Sequence, residues 1–215
     1  MHILYSFKRC PYAMRARMAL CLTDIQCELR EVSLKNKPSA MLDTSPKGTV
    51  PVLLLDNGNV IDESLDVINW ALKQHNVFDA NLLDHQEIFT DKTIELFDGD
   101  FKFNLDRYKY STRYHDVNEQ IHRESCLQIL KELDKFFVGP DWFFGDDINK
   151  LDISILPFIR QFRLANSEWF DAQEDIKNIK YWLNTFLESD LLKNIMTSYK
   201  PWKELDDPLY FPKDL

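Results

Sequence analysis

A cysteine near the start of the chain has the surroundings of a reactive thiol. Cys10 stands in YSFKRCPYAMRARMAL, directly before Pro11 and a run with helical spacing. Proline suits the first helical position, so Cys10 is expected just before a helix whose free N–H groups point at its sulfur. That placement favours the thiolate, which is the nucleophilic form of cysteine. Positive potential is also expected from three nearby cations, Lys8, Arg9 and Arg15.

The other cysteines have a different pattern. Cys21, Cys27 and Cys126 are embedded in apolar segments, so we expect small buried core residues there. The position three after Cys10 is Ala13, which rules out a local C-x-x-C disulfide. A redox reaction at Cys10 therefore needs an external thiol and predicts a mixed disulfide. The cysteine spacing favours a reducing cytoplasm.

The first 75 residues show an order of elements that could position Cys10. Strand patterns alternate with helical ones in the order β-α-β, an irregular connection, then β-β-α, and Asn57-Gly58 is a strong hairpin signal. This order predicts an α/β unit of thioredoxin type. The predicted strands are 2–7, 27–34, 50–56 and 60–62, the helices are 12–24 and 63–75, and the irregular connection is 35–49.

Two further segments of this unit could bind a ligand. In a thioredoxin-type fold, a cis peptide at Val50–Pro51 turns the backbone of Val50 toward the active site, where an extended peptide could pair with it. We predict that cis bond. In DESLD, Glu63 and Ser64 could grip a ligand that bears both an amine and a carboxylate. A plain helix cap, with Ser64 or Asp62 as the N-cap, explains the same residues without a ligand.

The remainder of the chain is predicted to be helical. Long helical patterns follow residue 85, Asn149 is expected to cap the central buried helix, and the proline-rich tail is expected to wrap the surface. The fold class is therefore α/β followed by all-α. The expected domains are a thioredoxin-like domain at 1–76, a linker at 77–84 and an all-helical domain at 85–215. The helical patterns cover 85–109, 116–137, 148–165, 174–189 and 190–199.

The charge balance limits the kinds of binding partner that the protein could have. The chain has 35 acidic and 26 basic residues, and residues 1–80 hold nine of each, so the acidic excess lies beyond residue 80. A chain without a basic block is a poor match for nucleic acid or an anionic membrane. The sequence contains no apolar run of transmembrane length, no signal-peptide pattern, no metal-ligand spacing and no glycine-rich phosphate loop.

The sequence resembles the cytosolic glutathione transferases. RCPYAMRARMAL is similar to the Cys-Pro-Phe/Tyr-Ala segment of omega-class enzymes, which use a catalytic cysteine, and LKNKP, GTVPVL and ESLDVI follow at omega-class spacings. The segments IRQF, EWFD and YKPWKELDDPLYFP resemble a bacterial group of transferase-like proteins. Two-domain bacterial glutaredoxins are also similar, but they carry a second cysteine where this chain has Ala13.

The resemblance implies roles for five residues. Cys10 would be the nucleophile, and Lys37 would contact the glycine-end carboxylate of glutathione. Val50 would pair through its backbone with the cysteinyl part, while Glu63 and Ser64 would bind the γ-glutamyl amine and carboxylate. Glutathione would thus be the cosubstrate, the acceptor would be a small hydrophobic or thiol/disulfide compound, and the protein would be a homodimer.

Three functions are compatible with these residues. The leading hypothesis is a cysteine-type glutathione transferase with thiol-transfer activity of the dehydroascorbate-reductase kind. The alternatives are glutathione conjugation to electrophiles and a non-enzymatic transferase-like adaptor. Tyr5 is expected in the core, and Ser6 is a minor rival to Cys10 as the group that activates glutathione. The family's second-substrate pocket would fall at Phe97, Phe101, Tyr108, Tyr110 and Tyr114.

Overall fold

The computed structural model describes residues 1–75 and 82–213. By residue packing, the chain divides into one unit of Met1–Ala80 with Ser189–Leu215 and a second unit of Asn81–Glu188. The predicted linker falls mostly at 77–81, outside the described residues, and the domain boundaries given above stay a prediction. None of the helices in the described ranges combines the length and the apolar composition needed to cross a membrane.

The elements follow the predicted order, and the fold class is confirmed. The sheet has the order β4-β3-β1-β2-β5, with β1 and β2 parallel and the other neighbouring pairs antiparallel. In chain order the elements are β1 (His2–Ser6), α1 (Pro11–Leu22), β2 (Cys27–Glu31), α2 (Ser39–Thr44), β3 (Val52–Leu54), β4 (Val60–Ile61), α3 (Ser64–Gln74), α4 (Asp84–Leu96), α5 (Lys102–Lys109), α6 (Glu119–Asp134), α7 (Lys150–Ala165), α8 (Ser167–Asp171), α9 (Lys177–Glu188), α10 (Asp190–Ile195) and β5 (Tyr210–Phe211).

The core of the first unit follows from the alternation of its strands. In β2 the buried residues are Cys27, Leu29 and Glu31, the period-2 pattern of a half-buried strand. The connection predicted to be irregular instead contains α2. Pro38, with φ −61°, occupies its N-cap, and the buried Met41 anchors the helix to the core.

The tail differs from its prediction. Residues expected to wrap the surface of a helical domain instead add a fifth strand to the first unit. Phe211 in β5 pairs with Cys27 and is fully buried, and the amide of Leu29 donates to the carbonyl of Leu209 at 2.7 Å. The two-residue strand was missed because an edge strand this short leaves no periodic pattern in the sequence.

The first long helix of the second unit is not uniform. A π-helical turn at Phe97–Phe101 separates α4 from α5, where the sequence predicted one helix at 85–109. Phe97 and Phe101, both fully buried, stack with ring centroids 4.3 Å apart. Because residues four apart lie on the same face of a helix, both rings point into the core.

The central helix α7 is capped as predicted. The side chain of Asn149 accepts a hydrogen bond from the amide of Leu151 at 2.9 Å, so the prediction of an Asn cap is confirmed. The fully buried carboxylate of Asp152 accepts three hydrogen bonds. They come from the amides of Asn149 at 2.7 Å and Phe143 at 2.9 Å, and from the indole N–H of Trp182 at 2.8 Å.

Replacing Asp152 should therefore destabilise the second unit severely. The change Asp152→Ala leaves three buried donors without an acceptor, so we expect the free energy of unfolding to fall by roughly 3 kcal/mol. The exposed Asp147 is the matched control, and Asp147→Ala should stay within about 0.5 kcal/mol of wild type. Urea unfolding followed by tryptophan fluorescence measures both. Equal effects of the two changes would contradict the role given to Asp152.

Candidate functional site

Cys10 lies at the junction of β1 and α1, as predicted. It is the N-cap residue of α1, with φ −78° and ψ 125°, and Pro11 occupies the first helical position. The carbonyl of Cys10 accepts the first intrahelical hydrogen bond, from the amide of Met14 at 2.9 Å. The N-terminal N–H groups of α1 and the positive end of its dipole therefore face the Cys10 position.

The thiol of Cys10 faces the loop before β3. It is half-buried, packs against a cluster that includes Ala13 and Val50, and its Sγ donates to the carbonyl of Val50 at 3.7 Å. The Val50–Pro51 peptide is cis, so that prediction is confirmed. Cys10 and Val50, which are 40 positions apart in the sequence, are thereby brought into direct contact.

The start of α3 differs from the plain helix cap. The N-cap is Glu63, with no side-chain capping bond, so neither Ser64 nor Asp62 caps this helix. The buried hydroxyl of Ser64 instead accepts a hydrogen bond from Arg15 Nη1 at 3.3 Å. Because Arg15 lies on α1, this bond links the helix of Cys10 to the predicted γ-glutamyl site.

Sequence reasoning missed Lys47. Its ammonium donates to Asp62 Oδ1 at 2.9 Å and to Glu63 Oε1 at 2.6 Å, and these carboxylates raise the pKa of Lys47. Hydrogen bonds from the Ser45 hydroxyl, at 2.6 Å, and from Lys47 hold the pKa of Asp62 below its ordinary value. The sequence does not show which of the nine basic residues in 1–80 pairs with Glu63, because Lys47 lies 16 positions before it.

Lys37 is exposed and lies beside Gly48. Within the described residues its ammonium has no ion-pair or hydrogen-bond partner. A Cβ on Gly48 would lie 3.6 Å from Lys37 Nζ and 3.2 Å from Leu42 Cδ2, and Gly48 has φ +62°. Gly48 thus leaves room for the Lys37 side chain and adopts a left-handed conformation that other residues disfavour.

Two of the cations expected around Cys10 have other partners. Lys8 Nζ donates to Ser198 of the tail, and Arg15 to Ser64. Ser6, the minor rival of Cys10, is fully buried and accepts a hydrogen bond from Arg17 Nε at 2.7 Å, so it cannot meet a ligand and that alternative is wrong.

Tyr5 is 1% exposed, which confirms its place in the core. Its hydroxyl accepts a hydrogen bond from Arg30 Nη1 at 2.7 Å. In residues 1–75 and 82–213, no three His, Cys, Asp or Glu side chains gather as a metal site.

The aromatic residues predicted to line a second-substrate pocket have different environments. Phe97 and Phe101 are core residues with no exposed surface, so neither offers a free ring. Tyr108 is half-buried and packs edge-on against Phe162. The other two rings face cations, Tyr110 with Arg113 at 4.2 Å and Tyr114 with Arg107 at 4.7 Å.

Comparison with known proteins gives the family. Residues 4–79 match the model of the glutathione S-transferase N-terminal domain. Glutathione S-transferase omega-1 of Rattus norvegicus is 24% identical over 208 residues, covering 94% of this chain and 83% of the relative. Residues 4–79 belong to the glutathione S-transferase N-terminal domain family, and the relatives that match over most of the chain are glutathione transferases.

Further glutathione transferases match this chain over most of its length. The probable glutathione S-transferase parA of Nicotiana tabacum is 23% identical, over 87% of this chain and 86% of the relative. Glutathione transferase Omega 3C of Trametes versicolor has the same fold, with a TM-score of 0.76 at 19% identity over 93% of this chain and 85% of that one. A Pseudomonas fluorescens family member, solved with two glutathione molecules bound, has a TM-score of 0.77 at 16% identity, over 91% and 92% of the two chains.

The burial of three of the four cysteines, with Cys10 the exception, predicts a selective reaction. Burial raises the pKa of Cys21 to about 12 and raises those of Cys27 and Cys126 further. We expect iodoacetamide to alkylate Cys10 alone in the native protein, because the other thiols are neither ionised nor accessible at mildly alkaline pH. Peptide mass spectrometry measures the labelled sites. Labelling in denaturant, where all four should react, is the control, and early native labelling of Cys27 would contradict the expectation.

Proposed function

We propose that this protein is a glutathione-dependent thiol transferase that acts through a mixed disulfide on Cys10. The observation that carries the proposal is the position of Cys10 at the N-terminus of α1, facing the Val50 carbonyl, with Ala13 where a resolving cysteine would stand. A thiolate at a helix N-terminus is stabilised, and a single cysteine must form its disulfide with an outside thiol.

The first step is attack by the Cys10 thiolate on a glutathionylated substrate. Its sulfur attacks the glutathionyl sulfur, a Cys10–glutathione disulfide forms, and the substrate leaves as a thiolate that takes a proton from solvent. Ionised Cys10 has no proton to donate to Val50. The Val50 carbonyl is then available to accept the cysteinyl N–H of glutathione, so ionisation and binding favour each other.

The second step regenerates the enzyme. A second glutathione thiolate attacks the glutathionyl sulfur, glutathione disulfide forms, and Cys10 leaves as the thiolate. The leaving group is stabilised by the same helix N-terminus that favoured the first attack. Each cycle therefore reduces one mixed disulfide of substrate and glutathione, consumes one free glutathione and releases one glutathione disulfide.

The charges around the site suit glutathione, which has two carboxylates and one ammonium. Lys37 would bind the glycine-end carboxylate, and the N-terminus of α3 with the Ser64 hydroxyl would bind the γ-glutamyl carboxylate. Glu63 would bind the ammonium, but it is already paired with Lys47. The ligand ammonium must therefore either share the Glu63 carboxylate with Lys47 or displace Lys47 from it.

Two other functions compete with this proposal. Conjugation of glutathione to electrophiles ranks lower, because a cysteine thiol promotes mixed disulfides and the hydroxyl of Ser6, the minor rival of Cys10, is buried. An adaptor without activity would have little use for Cys10, Lys37, Glu63 and Ser64 together. We further propose a homodimer, by family resemblance, and a cytoplasmic location, which the presence of thiols rather than disulfides at all four cysteines supports.

The variant Cys10→Ser tests the mechanism. We expect the reduction of a glutathionylated peptide to fall at least 100-fold, because the hydroxyl is not ionised near neutral pH and cannot form the mixed disulfide. Mass spectrometry after incubation with glutathione disulfide should find one adduct in the wild type, on Cys10, and none in the variant. Cys126→Ala, which removes a buried thiol from the second unit, is the control and should keep its activity. Thiol transfer at the wild-type rate by Cys10→Ser would sink the proposal.

The variant Lys37→Met tests the glutathione site. Loss of the ammonium should raise the KM for glutathione about fivefold with little change in kcat, because the lost contact lies away from the reacting sulfur. Lys35→Met, which removes an equally exposed lysine two residues away, should leave KM unchanged.

Retention on immobilised glutathione separates an enzyme from an adaptor. The wild type and Lys35→Met should be retained, and Lys37→Met should elute at lower salt. Failure of the wild type to bind would support the adaptor, whereas equal KM values for the two lysine variants would remove Lys37 from the site.

A further inference from the structure

The turn that presents Cys10 is held from behind by an acidic side chain. The amide of Cys10 donates to the carbonyl of Phe7 at 2.9 Å, which closes a four-residue turn. Within that turn the amide of Lys8 donates to Glu31 Oε1 at 3.0 Å. Glu31 is the last residue of β2, so a strand fixes the backbone two residues before the nucleophile.

Glu31 is in turn fixed by a fully buried arginine. Arg17 Nη2 donates to Glu31 Oε2, and the two side chains are 0% and 7% exposed. Arg17 Nε donates to the hydroxyl of Ser6, which is likewise buried. The guanidinium fork therefore fixes Glu31 relative to β1 and α1, the two elements that flank the turn.

The C-terminal segment completes this network. Arg17 Nη1 donates to the carbonyl of Ile195 at 2.9 Å, at the end of α10. The carbonyl of Glu31 accepts a hydrogen bond from the amide of Trp202 at 2.8 Å, and Lys8 Nζ donates to the Ser198 hydroxyl. Both residues that hold the turn are thus held by the same segment, 189–213.

We propose that Arg17 and Glu31 are positioning residues for Cys10, and that the segment 189–213 is an integral part of this device. The inference rests on the proposed function, since it concerns the reactivity of the same thiol. Neither side chain reaches the ligand. They act by fixing the Lys8 amide, which sets where the Cys10 sulfur lies relative to the N-terminus of α1.

The geometry goes beyond what packing alone requires. A buried ion pair is commonly no more stabilising than apolar side chains of similar volume, so burial does not explain its presence. Only Oε2 of Glu31 accepts a hydrogen bond from Arg17. The other carboxylate oxygen, Oε1, accepts the hydrogen bond from the Lys8 amide, at the base of the turn that carries Cys10. A small displacement of a reacting atom can cost a large factor in rate.

The experiment compares Glu31→Gln with Glu28→Gln. Glu28 lies in the same strand and pairs with Arg30 at 2.7 Å. The two variants carry the same change of side chain, but only Glu31 forms a hydrogen bond with the turn before Cys10. Cys10 reactivity is measured as the rate of adduct formation with glutathione disulfide and as the pH midpoint of iodoacetamide alkylation. Both are recorded well below the unfolding temperature of each variant.

For Glu31→Gln we expect the adduct to form on the order of tenfold more slowly. The alkylation midpoint should shift to higher pH, with the KM for glutathione within about twofold of wild type. Removing a negative charge alone would shift the midpoint to lower pH, so an upward shift reports a displaced turn. Glu28→Gln should match the wild type in rate and midpoint. An unchanged rate or a lowered midpoint in Glu31→Gln overturns the proposal.

A second pair of variants tests the same contact if Glu31→Gln does not fold. Lys8→Pro removes the amide that Glu31 binds at a turn position that suits proline, and Lys8→Ala removes the same side chain but keeps the amide. Only Lys8→Pro should slow the adduct, and equal rates in the two variants would refute the role of this amide. The absence of any Cys10 adduct in the wild type would instead defeat the proposed function, while alkylation rates would still test the positioning.

Discussion

The guanidinium of Arg17 is buried away from water, so the protein itself must supply its hydrogen-bond acceptors. Several elements of the first unit supply them. The donors of Arg17 are taken by a hydroxyl of β1, a carboxylate of β2 and a carbonyl at the end of α10. An unpaired buried charge is far more costly than a paired one, so these elements are constrained together. Strands β1 and β2, helix α1 and the segment 189–213 are thus joined in one hydrogen-bond network, and the turn that carries Cys10 contacts it through the Lys8 amide.

The second unit solves a similar problem with the opposite charge. The fully buried carboxylate of Asp152 accepts hydrogen bonds from the nearby amides of Phe143 and Asn149 and from the indole of Trp182, 30 positions away. In both units one buried charge is held by several hydrogen-bond partners, whereas Lys37 and Glu63, the charged residues proposed to bind glutathione, are exposed. This division is physically reasonable, because a binding group must exchange its partners and a structural group must keep them.

Local signals in the sequence were sufficient for much of the fold. Pro11 marks the start of α1 and Asn149 caps α7, because both effects act within one turn of helix. The cis peptide at Val50–Pro51 was predicted from the thioredoxin-type order of elements.

The remaining features depend on pairing over long distances, which no local pattern encodes. Arg17 looked like an ordinary charged residue on a helix, and its partners lie 11, 14 and 178 positions away. Lys47 and the strand β5 were missed for the same reason. The buried rings of Phe97 and Phe101 show the converse error, since an aromatic pattern does not reveal which face of a helix is covered.

The antiparallel pairing of β5 with β2 has a consequence for how the protein is made. Residues 27–28 pair with residues 210–211, and Arg17 donates to the carbonyl of residue 195. All of Asn81–Glu188 is synthesised before these partners become available. Domains generally fold as units during synthesis, the N-terminal one first. Here the first unit cannot finish folding until residues 195–211 have been synthesised after the second unit, so the turn that carries Cys10 should acquire its final setting only then.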